Sequence, residues 1–235
     1  MGRTTTPYFI STILFNPLAG SFAFSPAIYY TYMGNGIVEA PLKGDSSWSK
    51  SVLYNSPAIG GMTLSLQYAR GSAEEAVDLE KENGAQKLGG NVVYEQGPFS
   101  ATVAMQQLNF SRNAGDLGSD FRNQRALLAG LAYDFSSFKL YGQYQSIQNK
   151  YQSAKSRINS AQVGVRVPTS TAGAVLASYA HAKTSGFVSD SRNTWAVAYE
   201  HSLSKRTQLY GSYFRDSVRS AGQGSNVGVG IKHTF

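Results

Sequence analysis

The sequence predicts an all-β chain folded as a transmembrane antiparallel up-and-down β-barrel, and three observations carry that reading. From Trp48 onward apolar residues recur at every second position, the period of a strand with one apolar and one polar face. The segments so defined are separated by short and long polar links in strict alternation. No run of about 20 apolar residues exists to cross a bilayer as a helix. Composition agrees: of 235 residues only 15% are charged, 12% are aromatic, 24 are Gly and none is Cys. Mean hydropathy is −0.26. The absence of cysteine excludes thiolate metal sites, thiol catalysis and disulfide frameworks. Plentiful apolar residues and a net charge of +7 argue against disorder.

Eleven strands are expected, over 48–56, 62–69, 88–96, 98–108, 125–135, 138–147, 158–167, 174–183, 194–202, 207–217 and 226–235. In 62–69, Met62, Leu64, Leu66 and Tyr68 alternate with Thr63, Ser65 and Gln67. In 98–108 the apolar series is Phe99, Ala101, Val103 and Met105; in 125–135 it is Leu127, Ala129, Leu131, Tyr133 and Phe135. Ala161, Val163, Val165 and Val167 mark 158–167, and Val227, Val229 and Ile231 mark the last strand.

Short links are expected at 57–61, 97, 136–137, 168–173 and 203–206, and long polar links at 70–87, 109–124, 148–157, 184–193 and 218–225. A meander places successive links at opposite ends, so one end is smooth and the other decorated. That is the plan of a membrane barrel, apolar outside and polar inside, with short periplasmic turns and long extracellular loops. Tyr54, Tyr68, Tyr94, Tyr133 and Tyr199 fall near strand ends, where amphipathic rings sit at headgroup level.

Charge placement narrows the function. Lys139, Arg166 and Lys232 occupy polar-face positions inside strands. A lipid-facing Lys or Arg costs roughly 2–4 kcal/mol at the midplane, so all three are assigned to the lumen. Lys50, Arg125, Arg206 and Arg215 lie close enough to strand ends for rim or headgroup contact. Dispersed cations of this kind do not make a nucleic-acid patch. Acids collect in the links, at Glu74, Glu75, Asp78, Glu80, Glu82, Asp116 and Asp120. The three histidines, His181, His201 and His233, have no metal-ligating spacing. None is followed two positions on by the Ser of a membrane phospholipase dyad; Lys183, Leu203 and Phe235 stand there instead. No enzyme activity and no cofactor are expected.

The C-terminal run Tyr199-Glu-His-Ser-Leu-Ser-Lys-Arg-Thr-Gln-Leu-Tyr210, followed by Val227-Gly-Val-Gly-Ile-Lys-His-Thr-Phe235, resembles the last hairpin of Gram-negative general porins of the β-proteobacterial type. Ser51-Val-Leu-Tyr54-Asn-Ser-Pro57 and Tyr94-Glu-Gln-Gly97-Pro98-Phe99-Ser100 are similar to hairpins of the same family. Phe235 resembles the terminal signal read by the outer-membrane assembly machinery.

The resemblance implies a sixteen-strand pattern, of which eleven strands are readable here. Met1-Gly2-Arg3-Thr4 then resembles the end of strand five, 1–47 is that strand end plus the loop that narrows the pore, and 48–235 is barrel wall. It also implies passive diffusion of small hydrophilic solutes and anions across a bacterial outer membrane, with the lipid bilayer and lipopolysaccharide as surroundings and a homotrimer as assembly. Arg3, Lys139, Arg166, Lys232 and Glu39 are the expected pore-lining residues. Residues 4–38 hold no acid, Glu39 being the first, which departs from the common pattern of an acidic loop and predicts a modest anion preference. The loop is apolar and aromatic instead, through Tyr8, Phe9, Phe15, Phe22, Phe24, Tyr29 and Tyr30, and packing onto the wall is the expected use. An alternative takes 1–25 as a signal peptide and Ala27–Gly34 as a first strand, which makes a complete twelve-stranded barrel, a small channel or outer-membrane enzyme.

Overall fold

The computed structural model describes residues 2–33, 41–70, 86–109 and 120–234. Two of the residues singled out above, Glu39 and Phe235, lie outside them, as do the acids between 71 and 85 and Asp116. The chain opens with β1 (Gly2–Thr5), α1 (Pro7–Leu14) and α2 (Pro26–Tyr32). Eleven longer strands follow: β2 (Ser47–Asn55), β3 (Met62–Arg70), β4 (Gln86–Gln96), β5 (Phe99–Asn109), β6 (Phe121–Asp134), β7 (Lys139–Tyr151), β8 (Lys155–Pro168), β9 (Gly173–Gly186), β10 (Asp190–Ser202), β11 (Thr207–Val218) and β12 (Gly222–His233). All twelve form one sheet in sequence order, and each strand runs antiparallel to the next.

The twelfth strand is not the one the signal-peptide alternative required. Residues 26–32 are helical, and the extra strand is β1, which pairs Gly2 with Ser51 and Thr4 with Trp48. Each helix has a local cause. Thr6 and Ser25 sit in extended conformation and accept from the amides of Phe9 and Ile28, while Pro7 and Pro26 occupy the first helical turn. A hydroxyl cap followed by proline satisfies an orphan amide and presets φ, which outweighs the β-leaning run Ile28-Tyr29-Tyr30-Thr31.

The sheet has two distinct faces. Leu127 and Leu131 on β6, Val163 on β8, and Val227, Val229 and Ile231 on β12 are each more than half exposed, as lipid-facing side chains are. Alternate residues on the same strands, such as Leu128, Gln162 and Gly228, face the loop carrying α1 and α2. Aromatic rings gather at the short-turn end of the outer face, where Tyr133 meets Phe135 at 4.5 Å and Phe135 stacks on Phe138 at 4.8 Å between centroids.

Expected and observed strands agree at the short-turn end and differ at the other. Three links expected to be long are three-residue hairpin connections, at 152–154, 187–189 and 219–221. The strands simply continue: Lys150 pairs with Lys155, Asp190 with Thr184, and Val218 with Gly222. Beyond the bilayer both strand faces meet water, so apolar alternation stops while the hydrogen-bond ladder does not. At the smooth end the turns are as tight as expected. Gly61, at φ +80°, holds one of them, because a β-carbon there would stand 2.8 Å from the Glu95 carbonyl.

Candidate pore constriction

The described residues between β1 and β2, 6–33 and 41–46, lie against the inner face of the sheet. Three glycines on that face give the loop its seats. A β-carbon on Gly130 would stand 2.8 Å from Phe15, one on Gly164 would stand 2.6 Å from Pro17, and one on Gly228 would overlap the Phe24 ring. The loop thus touches β6, β8 and β12 in turn, each time where the wall has no side chain. Phe15 is 1% exposed and Ile28 is fully buried.

Between these seats the wall holds the loop with amides. Asn91 donates to the Pro7 carbonyl (3.1 Å) and to Ser11 Oγ (2.9 Å). Gln143 donates to the Phe15 carbonyl (3.1 Å), and Gln162 accepts from the Ala27 amide (2.7 Å). Gln145 Oε1 accepts from both the Tyr8 hydroxyl and Thr31 Oγ1 at 3.0 Å, tying α1 and α2 to one wall residue. Gln124 and Asn149 both donate to the Pro41 carbonyl. Burial pushes the Tyr8 and Tyr30 phenols far above their ordinary range, so both rings stay neutral.

Arg192 fastens α2. Its guanidinium donates to both Asp216 oxygens, at 2.7 and 2.6 Å, and Thr194 Oγ1 donates to the same carboxylate. The Tyr29 and Tyr30 rings lie 4.6 and 4.8 Å from the guanidinium carbon. Tyr29 in turn meets Phe214 edge-on at 5.0 Å. A planar cation held in plane by a carboxylate and covered by rings uses both of its binding directions. Nothing in sequence order signals this group. Arg192 lies before the expected strand 194–202, and its partners come from β11 and the loop.

The expected pore residues are distributed as follows. Arg3 pairs with Asp45 on the returning limb at 2.9 Å, and both are about half exposed. Lys139 and Arg166 are direct neighbours across β7 and β8, next to the short turns rather than at mid-barrel. Arg166 is ion-paired with Glu200, and Lys139 stands opposite Asp134, so this group is closer to neutral than the sequence suggested. Lys232 lines a cavity of about 410 Å³ between the loop segment Pro17–Ser21 and the wall residues Leu176, Glu200 and Tyr210. A further inward cation, Lys87, is 4% exposed and was missed because strand β4 begins two residues earlier than its apolar alternation. Among the described residues no carboxylate forms an ion pair with Lys87, Lys139 or Lys232. The described stretch 6–33 of the loop carries no charged residue, and within it Phe9 stacks on Phe22 at 5.9 Å and meets Tyr32 edge-on at 5.1 Å.

An inward-folded loop on the polar face of a meander barrel is shared with known proteins. The family model for Gram-negative porins matches residues 1–221. The chain belongs to that family. It is therefore a protein of the bacterial outer membrane, and its curated relatives carry the names of porins, not of enzymes. It is 27% identical over 203 residues to outer membrane porin protein 32 of Delftia acidovorans, covering 78% of this chain and 56% of that one. It is 23% identical over 223 residues to an outer membrane porin protein of Bordetella pertussis, covering 80% and 58%. The chain thus spans little more than half the length of these curated relatives. Among solved structures, the anion-selective porin from Comamonas acidovorans superimposes with a TM-score of 0.79 at 22% identity, over all of this chain and 73% of that one. OmpF of Salmonella typhi gives 0.66 at 12% identity, over 99% and 73%.

Proposed function

We propose that this porin is a passive diffusion channel for small hydrophilic solutes and ions, with a modest preference for anions. The observation that carries the reading is the loop, which is pinned along the inner wall by glycine seats and amides and leaves space beside it. A narrowed, water-filled lumen needs no chemistry; size and wall charge set what passes. The preference rests on Lys87 and Lys232, with Arg3, Lys139 and Arg166 more nearly balanced by Asp45, Asp134 and Glu200. The name of the Comamonas structure, an anion-selective porin, supports the same sign. Glu39 and a terminal assembly role for Phe235 belong to the reading through resemblance alone. A homotrimer embedded among lipopolysaccharide is the proposed setting, supported by the family. Reversal potentials in a salt gradient across planar bilayers test the channel: anion-directed potentials that shrink as salt rises are expected, and cation-directed potentials overturn the assigned sign.

A further inference from the structure

The cavity beside the loop has polar groups with no task yet assigned. It measures about 410 Å³, within the roughly 300–1,000 Å³ of small-molecule sites, and lies between the loop segment Pro17–Ser21 and strands β9 to β12. Register sets its layout. Glu200 of β10 is directly opposite Tyr210 of β11, and Tyr210 is opposite Gly230 of β12. Two residues nearer the turn, Gln208 is opposite Lys232. The Tyr210 ring lies across Gly230, where a β-carbon would stand 2.5 Å from its Cζ. That seat holds the ring on the wall, where it lines the cavity. Glu200 and Lys232 thus flank one aromatic ring, roughly 10 Å apart across the sheet at about 4.8 Å per strand. Lys232 has no ion-pair partner among the described residues. Arg166 pairs with Oε1 of Glu200, and Oε2 has no hydrogen-bond partner among the described residues.

We infer that this cavity binds a sugar acid, a pyranose ring bearing one carboxylate. The C–H groups of a sugar ring carry positive partial charge and pack on the negative face of an aromatic ring, here Tyr210. A cation on one side of that ring takes the carboxylate in a charge-assisted hydrogen bond. An ionised carboxylate on the other side only accepts, so it takes hydroxyl donors and repels a second acid. Gln208 and Ser212, which also line the cavity, both donate and accept. The layout therefore matches a single ring with an acid at one end and hydroxyls at the other. It disfavours a dicarboxylate, which sets an anion against Glu200, and an aromatic acid, which offers Glu200 no donor. The inference rests on the channel reading for one thing alone, the access of solutes to this wall.

The test is saturation-transfer NMR of the full chain in detergent, titrated separately with glucuronate, glucose, benzoate and succinate. Glucuronate is expected to bind saturably and at least fivefold more tightly than any of the other three. K232Q, which changes an exposed side chain near a strand end, is expected to bring glucuronate down to the level of glucose and to leave glucose unchanged. Y210A is expected to weaken both sugars at least fivefold, and Y210F, which keeps the ring, to restore them. R157Q, at the far end of β8, is expected to bind as the unaltered chain does. Absence of saturable glucuronate binding, or unchanged binding in both K232Q and Y210A, overturns the site. Glucose, benzoate or succinate binding as tightly as glucuronate overturns the sugar-acid assignment. Reversal potentials on the same preparation separate the two readings. Binding without conduction leaves the site standing and removes the channel, and conduction without binding does the reverse.

Discussion

Gly228 on β12 lies directly beneath the ring of Phe24, so close that a β-carbon there would overlap Phe24 Cζ. The same relation joins Gly164 to Pro17 and Gly130 to Phe15. A glycine that leaves room for a ring is a packing element, and its replacement acts on the loop before it acts on the strand. Gly228→Val is expected to lift Phe24 from its seat, with overpacking costs of roughly 1–3 kcal/mol. Thermal unfolding in detergent should show a lower transition, and single-channel records should show added current noise. The double variant Gly228→Val/Phe24→Ala should recover much of both, and the absence of recovery would sink this reading of the glycine.

Two ion pairs at different depths predict different coupling energies. Arg192 and Asp216 are 10% and 14% exposed in their side chains, Arg3 and Asp45 55% and 47%. Breaking a buried pair from one side costs about 3–5 kcal/mol because it strands the other charge. An exposed pair contributes about 0–1 kcal/mol. Arg192→Gln is therefore expected to destabilise far more than Arg3→Gln, and double-mutant cycles on unfolding free energies measure the contrast. Equal coupling for the two pairs would contradict it.

Selectivity should follow the net charge that faces the lumen. Lys232→Gln and Lys87→Gln each remove a charge with no ion-pair partner among the described residues, and each is expected to move the reversal potential toward zero. Arg166→Gln also removes one positive charge, leaving Glu200 uncompensated, and should move the potential in the same direction. Each charge is worth on the order of 1 kcal/mol to an ion at about 4 Å in water. Reversal potentials at low and high salt read all three, and an unchanged potential in Lys232→Gln places that residue outside the conducting path.

The amide anchors should act according to the partners left to the loop groups when each anchor is removed. Gln145 accepts from both Tyr8 and Thr31, whereas Gln162 accepts from the Ala27 amide. Gln145→Leu leaves Tyr8 and Thr31 their second acceptors, the Leu127 carbonyl at 3.4 Å and the Ala27 carbonyl at 2.7 Å. Gln162→Leu strands the Ala27 amide and is therefore expected to cost more, at roughly 1–3 kcal/mol per unsatisfied buried group. Denaturant unfolding of the two variants compares them, and an equal loss would mean that water replaces the lost acceptor.

Strand parity was legible in the sequence because lipid on one side and the lumen on the other impose it residue by residue. Val163 and Arg166 were sorted onto opposite faces from their order alone, and the structure places them so. Strand length is legible only where the bilayer continues, which is why Lys150 and Arg157 fall within the expected link 148–157 although they belong to β7 and β8. The helices had a readable signal, hydroxyl then proline at Thr6-Pro7 and Ser25-Pro26, hidden inside a run that otherwise favours strand. The pairing of Arg166 with Glu200 was not legible. The two are 34 positions apart on strands separated by β9, and only the register of two ladders brings them together.

The three-residue connections at 152–154, 187–189 and 219–221 bear on how the cell surface presents this protein. In a barrel of this orientation they face outward, carried on ladders that extend beyond the lipid. An antibody or phage fibre meets the paired flanks of two strands in fixed register there, with little free peptide to grasp. A linear peptide copied from 148–157 lacks the partner strands, so antisera raised against it should recognise denatured chain on a blot and bind intact cells poorly.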